Sequence, residues 1–469
     1  NFTVTESTTL NAMWTPNQYT VTFHGNGGTV NNSTDYLIKQ NYDTQYTLPE
    51  AKRTGYTFQG WGDKNSTTVK YKANEKRKIQ AYNEDLYAIW KAEKWKIYFD
   101  PKGGTIQNSA NTNATTGVLG LEKYANETIA MPSENSYPKA TRTGYTLRGW
   151  TNTAGSSTIT YNPGVSNTVE QVLNKGTTYY AVWEANRYTV TYNKNADDST
   201  INLSKTSDTT TYGSSVAVAN ATRKGYQFLG WTEAQNGSGT KYTYGTKYPI
   251  NKANNITLYA QWQVQTYTIT FIDGDRKQTV SQAYNTNVTL LNWSKTGYDF
   301  GWYTRASGGT YIGGANATVK MPEGGATYYA HHSAKQYKVY FNGNGASVST
   351  SYMSVTYDST YGNLPTPSRT GYTFIGWFDY SYKDAPLKYY ADMYTDLKNA
   401  FGYDQYRLWN HYTNYGAREG RRVSQYLGSD TVKITSDITI YAGWLANQYT
   451  VSYDGNGGAG SRNTDTVTY

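Results

Sequence analysis

Six times along the chain, aromatic or β-branched residues alternate with threonine, serine or lysine over five positions. The segments are Tyr19-Thr-Val-Thr-Phe23, Trp95-Lys-Ile-Tyr-Phe99, Tyr188-Thr-Val-Thr-Tyr192, Tyr267-Thr-Ile-Thr-Phe271, Tyr337-Lys-Val-Tyr-Phe341 and Tyr449-Thr-Val-Ser-Tyr453. A period of two predicts a half-buried strand. Gly25-Asn-Gly-Gly28 follows the first, with similar turns at Lys102-Gly-Gly104, Gly343-Asn-Gly345 and Gly455-Asn-Gly-Gly458. Asn-Gly is a strong hairpin signal, so a second, Thr-rich strand is expected to return from the turn. A Tyr-Gly or Tyr-Asp step comes next (Tyr42-Asp43, Tyr212-Gly213, Tyr361-Gly362), and Leu48-Pro49 and Leu364-Pro365 end regular structure. A third strand is predicted over Gly-Tyr…Gly-Trp, as in Gly371–Trp377, and a last one over segments such as Thr435–Trp444. Four strands with room for one short helix predict a small, β-rich α+β domain, repeated.

The Gly-Trp tryptophans are Trp61, Trp150, Trp231, Trp302 and Trp377; the closing Tyr-Ala-x-Trp motifs end at Trp90, Trp183, Trp262 and Trp444. These nine are the predicted core. The fourth unit closes on His331-His332 instead, and it has one residue fewer before Gly301-Trp302. The units are therefore 19–90, 95–183, 188–262, 267–332 and 337–444, with 1–14 the end of a truncated unit closed by Trp14 and 449–469 the start of another. Every connector, such as Lys91–Lys94 or Leu445–Gln448, is four residues long. Four residues span at most about 14 Å, so neighbouring domains are expected to sit close together as an elongated, semi-rigid rod.

The fifth unit departs from the pattern. From Gly-Trp to the closing position takes 29 to 33 residues in the first four units but 67 in the fifth. The surplus is placed at 379–430. Tyr390, Met393, Tyr394, Leu397 and Phe401 there fall at helical spacing. Tyr403, Tyr406, Trp409, Tyr412 and Tyr415 continue the aromatic run, followed by Arg418, Arg421 and Arg422. Two readings stand: a helical elaboration packed on its own domain, or a patch for ligand or self-assembly, since Tyr, Trp and Arg are enriched at interfaces.

Composition narrows the function. Of 469 residues, none is cysteine, which removes disulfide frameworks, Cys-ligated zinc and cysteine nucleophiles. The net charge of +9 comes without any block of like charges, so no nucleic-acid partner is expected. No apolar run is long enough to insert in a membrane. The adjacent histidines His331 and His332 fall on a predicted strand and face opposite sides, so no metal is expected there. Asp454-Gly-Asn-Gly457 lacks the glutamate that completes a calcium loop and reads as a turn. Nucleophile-elbow, phosphate-loop and zinc-protease motifs are missing. The chain is expected to be no enzyme, with no catalytic residues, no metal and no cofactor.

The motif order Thr-Gly-Tyr-Thr-Phe-x-Gly-Trp, then Leu-Tyr-Ala-x-Trp, preceded by Tyr-Thr-Val-Thr-Phe-x-Gly-Asn-Gly-Gly, resembles the Listeria–Bacteroides repeat, the B-repeat of internalin B and of many large bacterial surface proteins. The resemblance covers nearly the whole chain. It implies β-grasp (ubiquitin-like) domains, an extracellular cell-surface or cell-wall location, and stalk or adhesive roles. A non-enzymatic structural stalk or fibre is the first expectation, with self-assembly into filaments as its variant. An adhesin is the second, binding host or wall glycans, other anionic polymers or proteins through basic-aromatic surfaces, notably the insertion in the fifth unit.

Overall fold

The computed structural model describes residues 3–458 and 464–469. The chain divides into two compact units, Asn1–Thr222 with Phe228–Trp262, and Arg223–Gln227 with Gln263–Tyr469. Each is β-rich and built from small repeated sheets.

In the first unit, repeat one forms a four-stranded sheet in the spatial order Asp35–Asn41, Gln18–His24, Glu84–Ala92, Tyr56–Gly62. These are the return, opening, closing and Gly-Trp strands. Opening and closing strands run parallel at the centre, and both outer pairings are antiparallel. Repeats two and three have the same order: Leu119–Tyr124, Lys94–Asp100, Thr178–Ala185, Tyr145–Thr151, then Ser207–Thr211, Arg187–Asn193, Ile256–Val264, Tyr226–Thr232. In the second unit, repeat four orders Arg276–Ala283, Thr266–Asp273, Ala326–Ala334, Tyr298–Tyr303 and adds Tyr311–Gly313 at the edge. Repeat five orders Tyr352–Thr356, Gln336–Asn342, Ile438–Ala446, Tyr372–Phe378.

The alternation predicted for the opening strand is what buries it. Val21 and Phe23 point inward while Thr20 and Thr22 do not, and Phe23 meets Trp61 edge-on at 4.8 Å. Each repeat gathers its own buried cluster around its Gly-Trp tryptophan, and none of these clusters mixes residues of two repeats. Trp61, Trp150, Trp231, Trp302 and Trp377 are at most 2% exposed. Their indole N–H groups donate to Pro49, Pro132, Ala219, Leu291 and Pro365 carbonyls at 2.7–2.8 Å. In repeats one and five the Leu-Pro segment therefore supplies the acceptor, and in the others the matching segment does, so that a polar ring is buried at no hydrogen-bonding loss.

The closing tryptophans cap the turns that follow the opening strands. Trp90, Trp183, Trp262 and Trp444 donate to Gly25, Pro101, Lys194 and Gly343 carbonyls. This corrects the simple hairpin reading. In repeat one the Asn-Gly turn is a docking loop: after it, Thr29–Val30 pairs with Ala51–Lys52 before the return strand begins. Asn26 ties the loop to the closing strand through the Ala88 carbonyl at 2.9 Å. In repeat four the return strand follows directly, Asp273 opposite Arg276, with Gly274 at φ +60 in the first turn position. That is the type II′ signature. With no docking loop, the closing Trp has nothing to cap, and His332 stands there instead, 3.1 Å from Asp273 and tilted on Phe300.

The missing residue before Gly301-Trp302 also has a structural counterpart. Repeats one, two and five carry a register shift just before Gly60, Gly149 and Gly376. Repeat four pairs Tyr298 through Trp302 without a shift. One residue fewer removes one bulge.

The expected short helix occurs in repeat two alone among the described residues of repeats one to four. It is α1, Val169–Leu173, with Thr168 and Gln171 forming a capping box. Elsewhere short two-stranded pairs, such as Gln45–Thr47 with Lys76–Lys78, bridge the crossover. Residues 3–17 form no strand and Trp14 is 89% exposed. Gln448–Ser452 and Thr464–Thr468 pair as a hairpin. Residues 1–2 and 459–463 of the two predicted terminal pieces lie outside the described residues.

Candidate functional site

A repeat protein works through what joins its repeats and what stands out from them. The joints begin in a four-residue turn at the start of each Gly-Trp strand. In Arg53-Thr-Gly-Tyr56 the Tyr56 N–H returns to the Arg53 carbonyl, with Gly55 at φ +83. Positive φ at the third position is the type II requirement, which glycine meets without strain. Arg53, Arg142 and Arg369 lie 3.8–4.0 Å over the rings of Tyr56, Tyr145 and Tyr372 and hold the turn's shape.

The third connector residue is clamped between this turn and the next repeat. In the first unit, Glu93 N–H donates to the Gly55 carbonyl at 2.9 Å and its own carbonyl accepts from Ala125 N–H at 3.0 Å. Asn186 does the same between Gly144 and Tyr212, at 2.9 and 2.8 Å. In the second unit, Lys335 bridges Gly297 and Tyr357, and Asn447 bridges Gly371 and Tyr469, all within 3.0 Å. The threonine after the turn grips the same connector residue: Thr57 with Glu93, Thr146 with Asn186 and Thr373 with Asn447, each at 2.6 Å. Repeat four has Asp299 at this place and an ion pair to Lys335 at 3.6 Å.

A tyrosine from the following repeat is wedged against the glycine. A Cβ built on Gly144, Gly297 or Gly371 would fall inside the ring of Tyr212, Tyr357 or Tyr469. The same rings meet Tyr145, Tyr298 and Tyr372 edge-on at 5.6–5.7 Å. At the joint of repeats four and five, Tyr298 also donates to Asp358 at 2.8 Å, and Lys433 pairs with that carboxylate. In repeat five the tyrosine step expected from the sequence is Tyr361-Gly362. The joint tyrosine there is Tyr357; Tyr361 is a buried core residue.

The joint of repeats one and two is built differently. Ala125 takes the tyrosine's place, and Leu173 of α1 fills the space over Gly55. Arg53 donates two hydrogen bonds to Glu170 of α1, at 2.9 and 2.7 Å. A cleft of about 860 Å³ opens beside this joint. Arg53 pairs there with Glu170, the His24 ring lies 2.7 Å from Asp35 and 3.3 Å from Asp85, and Lys52 also lines the cleft.

What stands out is the insertion. It folds as α2 (Pro386–Met393), α3 (Thr395–Phe401) and α4 (Gln405–His411), ending in a wide turn, Tyr412–Gly416. The single helical run expected over 390–401 breaks at Tyr394, whose backbone is extended. The helices share a core with Ile375, Phe378 and Leu445 of the sheet. Repeat one has Gln59, Gly62 and Lys91 at those places. This polar-to-apolar switch on one sheet face was the available signal that the insertion packs on its own domain.

The candidate interaction residues do not converge on one patch. Arg421 pairs with Asp396 and Glu419, and Arg422 with Asp430, so both brace the insertion. Tyr406 donates to the Ala446 carbonyl at 3.0 Å. Trp409 stacks on Tyr412 at 5.6 Å. Tyr415 and Arg418 are exposed. Tyr403 donates to Asp392 at 2.9 Å, where Lys388 and Lys398 also converge at 2.6 and 3.0 Å. Hydrogen bonds from Lys388, then Lys398 and Tyr403, pull the Asp392 carboxyl down to about 2. A depressed carboxylate contributes stability above its unfolded value, about 3.9, and loses it as pH falls through the folded value. Once the intrinsic pH dependence of exchange is divided out, acidification from pH 5 to pH 2 is therefore expected to lower the amide protection factors in 386–411 of the native chain, and Asp392→Asn to flatten that dependence; an unchanged profile in the variant would assign the loosening to other groups.

Among the described residues no group of three or more His, Asp or Glu side chains is placed to hold a metal, and no helix is long and apolar enough to cross a membrane. His331 and His332 do face apart: His331 stacks on Tyr303 at 4.1 Å and His332 turns to Asp273.

Small mixed sheets in tandem, each with its own tryptophan-centred core and a common joint, define a modular repeat protein. The family described as the Listeria-Bacteroides repeat domain matches residues 19–89, 95–182, 188–261, 267–331 and 337–395. The chain belongs to that family. It is 29% identical over 339 residues to a protein of Evansella cellulosilytica provisionally named a Gly-rich membrane protein, covering 69% of this chain and 33% of that one. It is 44% identical over 115 residues to internalin H of Listeria monocytogenes, covering 23% of this chain and 19% of that one. A membrane protein of Evansella cellulosilytica, also provisionally named, is 26% identical over 286 residues, 60% of this chain and 35% of its own. The chain thus spans about a third or less of these relatives. Among solved structures, the Bacillus anthracis TIE protein aligns over 69% of this chain and 44% of its own at 9% identity, with a TM-score of 0.13.

Proposed function

We propose that the chain is a non-enzymatic stalk segment of an extracellular, bacterial cell-surface protein, a string of small β-grasp domains extended as a rod. The joint carries this reading. The same backbone clamp recurs at the four joints described above, and its bonds restrain the connector at both ends, as a spacer that transmits orientation requires and a flexible linker does not. The order of return, opening, closing and Gly-Trp strands around a parallel central pair supports the β-grasp assignment. Names given to the relatives, two membrane proteins and an internalin, support the surface location. The Arg53–Glu170 pair in the cleft between repeats one and two ties one repeat to the next, which supports a structural role.

Small-angle scattering of the intact chain tests the proposal. Five domains of about 30 Å in line give a longest dimension on the order of 150 Å, against about 60 Å for one compact globule of this length. A globular envelope would end the stalk reading.

A further inference from the structure

We propose that a groove between α4 and the connector after repeat five binds a carboxylated glycan, with Trp409 as stacking platform and Arg407 as anchor for the carboxylate. The groove holds about 540 Å³ and is lined by Tyr406, Arg407, Trp409, Asn410, Thr413 and Gln448, among others. It goes beyond the stalk reading and fails separately from it, because loss of binding leaves the length of the rod unchanged.

Three observations point to this ligand. The first is the indole. The nine core tryptophans each donate their N–H to a backbone carbonyl. Trp409 donates to no acceptor among the described residues, although it lines the groove. Its place is set from behind by Tyr412 and the insertion core. A pre-positioned ring with an unspent donor suits a sugar, which offers a C–H face for stacking and hydroxyls at its rim.

The second is charge. Arg407 is the sole charged residue lining the groove, and among the described residues it has no carboxylate partner. Its guanidinium sits 5.0 Å from the Phe401 ring. The nearby Asp404 is occupied as the cap of α4, accepting from the Tyr406 and Arg407 backbone N–H groups. A planar fork without an acid matches a carboxylate bidentately.

The third is the rest of the lining. Amide and hydroxyl groups of Asn410, Thr413 and Gln448 outnumber charges, which favours a hydroxyl-dense ligand over an acidic peptide. α4 belongs to the insertion, so the other repeats have no counterpart of this wall.

Calorimetric titration of the full chain with tetragalacturonate tests the assignment, with maltotetraose and hexaglutamate as comparisons. Tetragalacturonate is expected to bind more tightly than either. Trp409→Ala and Arg407→Gln are each expected to raise the Kd by roughly tenfold, the equivalent of one good contact. Because Trp409 also touches the insertion core, Arg407→Gln and Asn410→Ala, both at exposed residues, decide the matter if Trp409→Ala melts the helices. Absence of tetragalacturonate binding, equal binding of hexaglutamate, or affinity indifferent to Arg407→Gln and Asn410→Ala would each overturn the proposal.

Discussion

Trp61→Ala is expected to unfold residues 19–90 while residues 95–183 stay folded. Trp61 is fully buried, meets Phe23 at 4.8 Å and Phe58 at 5.2 Å, and spends its N–H on the Pro49 carbonyl. Truncating such a ring costs about 3–5 kcal/mol, and the half-buried Pro49 carbonyl also loses its donor. A domain of ~70 residues has a total stability of only about 4–10 kcal/mol. The substitution therefore removes a large part or all of it. No buried cluster mixes residues of two repeats, so the loss has no packed interior through which to spread. Repeat two is expected to lose only the nearest-neighbour terms of the joint: the Arg53–Glu170 pair, the clamp on Glu93 and the packing of Ala125 and Leu173 over Gly55. Hydrogen exchange read by mass spectrometry, peptide by peptide, separates the outcomes. Simultaneous loss of protection in 95–183 would mean that the two repeats share one cooperative unit.

How much of this was legible in the chain follows from range. Alternation around Val21 and Phe23 and the recurrence of Gly-Trp are local signals, and they identify the opening strands and the core rings directly. The deletion before Gly301 was visible, but its meaning was not, because a bulge is defined by the partner strand. His332 was visible as a substituted core position. Its cause lies some sixty residues earlier, at Asp273-Gly274, where the docking loop is missing. The helical spacing in the insertion was readable, whereas the break at Tyr394 and the pairing of Arg421 with Asp396 depend on how three helices pack. Arg421 and Arg422 carry the composition of an interface, and their pairing with Asp396, Glu419 and Asp430 was not readable from the sequence. The joints were the least legible. Tyr212-Gly213 looks like any turn, and its partner, Gly144, lies 68 residues earlier in the preceding repeat. Equal connector length was the surviving trace. A four-residue spacing cannot vary when its third residue must reach a carbonyl behind it and an N–H ahead.

Gly297→Val is expected to open the joint between repeats four and five without unfolding either. Two effects contribute. At φ +78 a β-branched residue is strained, by about 1–2 kcal/mol. The added Cβ would also overlap the Tyr357 ring, which must leave its wedge. That forfeits the edge-on contact with Tyr298 at 5.7 Å and bends the turn whose carbonyl holds Lys335. Gly308 separates the two effects. It lies in the same repeat at φ +65 with nothing near its would-be Cβ. Gly308→Val therefore imposes the strain alone. Spin labels on the exposed faces of repeats four and five read the joint through their distance distribution. One narrow peak is expected for the unaltered chain and for Gly308→Val, and a broad distribution for Gly297→Val, with Trp302 and Trp377 fluorescence unshifted. Tyr357→Ala should reproduce the broadening with no backbone strain at all, because it removes the wedge and leaves the turn intact. A narrow peak in both joint variants would mean that the four-residue connector, and not the tyrosine, sets the angle. Broadening equal to that of Gly308→Val would trace the effect to strain within repeat four.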